Sequence, residues 1–181
     1  MKKWQKISLC VSMALVSGLT GLSAQSIAAG SFHSFKGVGI SAEIPSAGIS
    51  EFNVFTLYAD LADVYAGVQP SPGIKFNYSH NIGLVRINPL SREDFSLFAG
   101  SGFSAGWVTD SGRDGYGLCA ALSGTFGARA GFPSGIVLTL SLSIETGGFV
   151  HDNNSHVEST LYRNGLFHTA FPSIGIYYRI K

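Results

Sequence analysis

Phe95-Ser96-Leu97-Phe98-Ala99-Gly100-Ser101-Gly102-Phe103-Ser104-Ala105-Gly106-Trp107-Val108 is the stretch on which the architecture turns. Read at every second residue, it separates into two faces. Phe95, Leu97, Ala99, Phe103, Ala105 and Trp107 share one, broken only by Ser101. Ser96, Gly100, Gly102, Ser104 and Gly106 share the other, with Phe98 and Val108. A side-chain period of two marks a β-strand. A soluble antiparallel sheet also alternates, so the chemistry of the weaker face decides. In water that face usually carries many charged side chains. Here it is mostly Gly and Ser.

The same pattern runs outward in both directions. Tyr116, Leu118, Ala120, Leu122, Phe126, Ala128 and Ala130 oppose Gly117, Cys119, Ala121, Ser123, Thr125, Gly127 and Arg129. Ile136, Leu138, Leu140, Leu142 and Ile144 oppose Thr139, Ser141, Ser143 and Glu145. Ile74, Phe76, Tyr78, Ile82 and Leu84 oppose Lys75, Asn77, Ser79 and Asn81, and near the end Ile174, Ile176, Tyr178 and Ile180 oppose Ser173, Gly175, Tyr177 and Arg179. Charged residues make up only 13% of the chain, against about 25% in ordinary soluble domains. They gather between the strands: Asp60 and Asp63, Arg92 to Asp94, Asp110, Arg113 and Asp114, Asp152 and Glu158. Small polar side chains suit the crowded interior of a narrow barrel, which leaves the bulky apolar face to hydrocarbon. Lys75, Arg129 and Glu145 fall on the small-residue face, where a buried ion-pair network is expected. Phe95, Trp107, Tyr116, Phe132, Phe149, Tyr162, Phe167 and Tyr178 lie near strand ends and suit interfacial girdles.

The first residues have a different character. Lys2, Lys3 and Lys6 precede an apolar stretch from about Ile7 to Leu22, and Ser23 to Ala29 are mostly small. That is the order of a secretory signal peptide. Ser26 and Ala28 place cleavage after Ala28, giving a signal over 1–28 and one domain over 29–181; cleavage after Ala29 is the near alternative, and an uncleaved anchor helix the other. Losing three lysines leaves nine basic against eleven acidic residues, a balance that fits neither a nucleic-acid binder nor a polyacidic tail. Cys119 is then the one cysteine left, so no intramolecular disulfide forms. Beyond the signal no apolar run is long enough for a transmembrane helix, and strands closed into a barrel are the other structure that satisfies its backbone in lipid.

The predicted strands are about 32–44, 52–66, 73–86, 94–108, 115–131, 135–150 and 167–180, most of them long enough to cross hydrocarbon when tilted. Turn signals separate them: Pro45 to Gly48, Gln69 to Gly73, Asn88-Pro89, Asp110 to Gly112 and Phe132 to Gly135. Bacterial single-chain barrels have even strand counts. The eighth strand is therefore placed at 156–163, before the hairpin signal Asn164-Gly165. The expectation is an all-β, antiparallel up-and-down barrel of eight strands. In this architecture the chain resembles the small outer-membrane barrels of the OmpA-membrane-domain and OmpX kind. Ile176-Tyr177-Tyr178-Arg179-Ile180-Lys181 is similar to the last strand that the assembly machinery reads in that group, although it ends in Lys181 and not in Phe.

Chemistry is harder to read. An acyl hydrolase needs a nucleophile, a base and an orienting group within reach, so a Ser or Tyr hydroxyl about 3 Å from a histidine would be its sign. Ser31 and His33, and His156 and Glu158, have the spacing that shares a strand face. Ser141, Ser143 and Glu145 share one without a histidine, and Ser79-His80-Asn81 puts Ser79 and His80 on opposite faces. His33, His80, His151, His156 and His168 show no metal-ligand spacing. Gly37-Val38-Gly39 and Gly100-Ser101-Gly102 lie within strands and open no helix, so they are not nucleotide loops. Cys119 reads as an inert buried thiol. No catalytic, cofactor or metal residue is assigned. The expected role is structural or surface-interacting, exercised through loops, by a monomer of a Gram-negative outer membrane that meets its lipids, its assembly machinery and no nucleic acid. The alternatives are a lipid A-modifying acyl hydrolase or acyltransferase, and a soluble lipid-binding barrel.

Overall fold

The computed structural model describes residues 27–34, 37–46, 50–61, 64, 72–87, 94–111, 115–153, 156–167 and 172–180. Nine strands run in chain order: β1 (Ile27–Ser34), β2 (Gly37–Pro45), β3 (Glu51–Asp60), β4 (Gly73–Ile87), β5 (Asp94–Val108), β6 (Gly117–Gly131), β7 (Ile136–Asn153), β8 (His156–Leu161) and β9 (Ser173–Ile180). Each pairs antiparallel with its neighbour from β1 to β7. β9 joins β7 to β1 and closes the wall. The sheet has no free lateral margin around this circuit, which removes the edge-pairing hazard of an open sheet.

The count of eight holds for staves, but two of them are made differently from the expectation. The strand expected over 32–44 is two strands, β1 and β2, and β1 reaches back into the stretch assigned to the signal. Ile27 and Ala28 pair with Ile180 and Arg179, so a boundary at 28 falls inside β1. The strand expected over 52–66 ends at Asp60. At the other end of the chain, β8 pairs with Gly148–Asn153 of β7 and β9 with Ile136–Ser141, both on the edge of β7 away from β6. They are the two halves of one broken stave.

Between those halves, Asn164-Gly165 forms no hairpin. Asn164–Phe167 is a helical turn, α1. The Asp110 carboxylate accepts hydrogen bonds from the backbone N–H groups of Arg163 (2.9 Å) and Asn164 (2.8 Å), and Asn164 donates its side-chain amide to the Thr109 carbonyl at 3.1 Å. Two-residue hairpins of this composition need left-handed φ. Among the described residues positive φ occurs at Gly115 and Gly135, and Gly165 serves close packing instead: a Cβ there would stand 2.7 Å from the Glu145 carbonyl oxygen. Gly135, at φ 86°, closes the turn from Phe132 that joins β6 to β7.

Side-chain parity follows the sequence reading. Leu122 is 70% exposed, Ile40 67% and Trp107 53%, whereas Phe98, Val108 and Ser104 on the alternate positions are at or near zero. Bulky apolar residues thus cover the outside, and Gly, Ser and Thr fill the inside. A bulge between Gly83 and Val85 turns both Leu84 and Val85 outward at the end of β4. Phe149 and Tyr162, expected at an outer girdle, are wholly buried inside. Phe149 shares the parity of Glu145, so it points inward with it. Glycine makes room for the inner rings: Phe52 and Phe98 meet edge to face at 5.2 Å, and a Cβ on Gly127 would lie 2.7 Å from the tip of Phe98.

Following paired residues from Ala28 through Glu43, Val54, Ser79, Gly102 and Ser123 reaches Glu145, far up the wall. The strands are therefore tilted and staggered, as closure of a barrel requires. β1 begins at Ile27 and β9 ends at Ile180 on the same rim, with Pro45, Glu51, Ile87, Asp94, Gly131 and Ile136. The opposite rim carries Ser34, Gly37, Asp60, Gly73, Val108, Gly117, Asn153 and His156.

Candidate functional site

Stagger brings residues distant in sequence together across the lumen. Lys75 of β4 and Glu145 of β7 form an ion pair with both side chains buried. Lys75 also donates to the Tyr162 hydroxyl at 3.2 Å and lies over that ring, 4.6 Å from its centroid. Tyr162 stacks on Phe149, which stacks on His151. His151 faces Glu158 across the β7–β8 ladder at 3.8 Å. These groups fill the lumen at the loop-bearing half.

The other half holds a separate pair. Arg129 of β6 places its Nε 3.1 Å from each Glu43 carboxylate oxygen and adds a bond from Nη2. The guanidinium also lies 5.4 Å from the Phe52 ring centre. The expected single network of Lys75, Arg129 and Glu145 is thus two pairs, and Glu43 is the residue the sequence reading overlooked. A hydroxyl-rich chamber of about 50 Å³ lies between them, lined by Thr56, Ser79, Thr125, Ser141, Ser143 and Tyr177 among others. Ser141 meets Ser173 at 2.9 Å, and Thr125 meets Ser143 at 3.3 Å. Paired charges and hydroxyls of this kind pack the interior, and the two ion pairs close it above and below.

The sequence candidates for acyl chemistry separate accordingly. Ser141, Ser143 and Glu145 are inside, and Glu145 is taken by Lys75. Ser79 and Asn81 also point inward and bond each other at 3.0 Å. His80 points outward from mid-β4, not from a strand end, and its Nδ1 meets the Asn53 side-chain oxygen at 3.0 Å. Tyr78 donates its hydroxyl to the same oxygen at 3.0 Å. With the Asn53 amide oxygen as acceptor, Nδ1 is the donor of this bond. Ser101 stands opposite His80 in the next strand, yet among the described residues neither Ser31, Ser79 nor Ser101 hydrogen-bonds a histidine. Ser31 and His33 lie in β1, paired with Ile176 and Ile174. His156 pairs with Asn153, and Glu158 with His151. His168 lies outside the described residues. No three His, Cys, Asp or Glu side chains among the described residues converge as a metal site would need. Cys119 is buried beside Val108, Phe149 and Tyr162.

The second recess lies at the rim that holds the chain ends. It measures about 230 Å³ and is lined by Glu43, Glu51, Arg86, Asp94, Arg129 and Arg179 with smaller neighbours. Arg86 pairs with Asp94 at 2.7 Å, half in solvent. Neither the charge count nor the strand pattern marks this recess in the sequence, because its arginines come from three strands. Comparison with protein-family models, with curated proteins and with solved structures found no match to this chain. What the geometry establishes is a closed, all-antiparallel, up-and-down barrel of eight staves.

Proposed function

We propose that this protein resides in a bacterial outer membrane as a small structural barrel that offers its loop-bearing rim to the cell exterior. One observation carries the reading. The outer wall is a continuous belt of large apolar side chains, Ile40, Leu57, Ile74, Phe103, Leu118, Leu122, Phe126, Leu140 and Ile176 among them, each more than a third exposed. A soluble monomer rarely leaves an apolar patch beyond a few hundred Å² in water. A bilayer removes that cost, and a closed barrel satisfies its backbone there.

The interior agrees with this reading. A lipid-carrying soluble barrel needs an apolar cavity, whereas this lumen holds hydroxyls and two buried ion pairs. On the outer surface, Tyr78 and His80 both bond the Asn53 side-chain oxygen, which lowers the cost of polar groups facing hydrocarbon. In this reading the rim of Ile27 and Ile180 faces the periplasm, and the rim of Asp60, Gly73, Val108 and Gly117 faces outward. Loops on a rigid scaffold are where partners bind.

The test is fractionation of expressing cells, with the intact mass of the recovered protein. Recovery in the outer-membrane fraction, with heat-dependent gel migration and a mass that lacks the N-terminal signal, is the expected result. Recovery in the soluble periplasm overturns the membrane reading.

A further inference from the structure

We infer that the recess at the chain-end rim is a binding site for a compact oxyanion such as phosphate, held between Arg129 and Arg179. The geometry centres on Gly131. The Arg179 guanidinium uses the space that a Cβ on this residue would take, with Nη2 2.6 Å from that point, and Nη1 of Arg129 lies 3.9 Å from the same point. Arg129 spends Nε and Nη2 on Glu43, so the nitrogen it presents there is the one Glu43 does not use. Arg86 is committed to Asp94. Arg179 makes no ion pair among the described residues, and Glu51 lines the recess without one.

Glu43 offsets the charge of Arg129, and an oxyanion bridging Nη1 of Arg129 and Nη2 of Arg179 would offset that of Arg179. Guanidinium N–H groups form charge-assisted bonds to phosphate and carboxylate oxygens, and two such groups bracket an oxyanion. Size selects the class. A recess of about 230 Å³ falls below the roughly 300–1,000 Å³ of sites for drug-sized ligands. It admits a phosphate or a single carboxylate group. The site belongs to the barrel itself and is independent of any role for the loops.

The test is calorimetric titration of inorganic phosphate into the purified protein in a zwitterionic detergent at low ionic strength. Saturable binding is expected. Arg179→Gln removes one charged donor and weakens it about tenfold or more. Gly131→Ala fills the space between the guanidiniums, displaces the flexible end of Arg179 and weakens binding to a similar degree, with the near-ultraviolet circular dichroism of both variants unchanged. A second arm repeats the titration in nanodiscs with and without phosphatidylglycerol. Loss of phosphate affinity there assigns the site to a lipid headgroup, and unchanged affinity assigns it to a free anion; either supports an oxyanion site. No saturable phosphate binding by the wild-type protein, or equal affinity in Arg179→Gln, overturns it.

Discussion

Replacing Glu145 by Ala removes the acid that holds Lys75 in the lumen. Lys75 is wholly buried and Glu145 is 3% exposed, so water screens the charge left behind poorly. Breaking a buried pair from one side costs about 3–5 kcal/mol, because an uncompensated charge remains. The 3.4 Å bond from Asn77 to Glu145 is lost as well, a contribution at the low end of about 0.5–1.5 kcal/mol. The Tyr162 hydroxyl stays within reach of Lys75 and returns part of the loss. The net expectation is about 3–4 kcal/mol, a large share of the roughly 5–15 kcal/mol that holds a domain folded. Urea unfolding in phospholipid vesicles, followed by tryptophan fluorescence from Trp107, measures it. The double variant Lys75→Met/Glu145→Leu is expected to recover most of the stability, since an apolar pair of similar volume can match a buried ion pair. A loss below about 1 kcal/mol in Glu145→Ala, the level of an exposed pair, would refute the argument that this pair is sealed from water.

Other substitutions probe other parts of the wall. Gly127→Val should destabilise by about 1–3 kcal/mol, because even its first carbon meets the Phe98 ring tip at 2.7 Å; the same unfolding assay reads it. Asp110→Ala removes the acceptor shared by Arg163 and Asn164 and should cost about 1–2 kcal/mol, with faster amide exchange confined to residues 162–167. Asp94→Asn, in the exposed pair with Arg86, should change stability by less than about 1 kcal/mol.

Parity was the legible part of this fold. Phe98 and Val108 sit among small inward residues in the sequence and sit inside in the structure, and Trp107 between them points out. What parity cannot carry is closure. Arg129 and Glu43 are brought together by the stagger of five strands, and no local spacing encodes that distance. The same limit hid the recess beside Glu43, whose arginines lie on β4, β6 and β9. Local signals failed where a tertiary contact competed with them. Asn164-Gly165 reads as a hairpin until the Asp110 carboxylate captures the backbone N–H groups there. Ile27 and Ala28, assigned to the last residues of the signal, pair with Ile180 and Arg179 in the wall. Asn53 gave no signal of its own, because its partners Tyr78 and His80 lie on a neighbouring strand.

Leu122 lies on the outer face of β6, 70% exposed and flanked by Phe103 on β5. If that face meets hydrocarbon, Leu122→Arg destabilises the barrel in vesicles by about 2–4 kcal/mol, the penalty of an arginine near a bilayer midplane. On a water-exposed surface the same substitution stays within about 0.5 kcal/mol of the wild type. A wild-type-like unfolding midpoint for Leu122→Arg, or a wild-type protein that folds without detergent or lipid and stays monomeric in water, contradicts the membrane account.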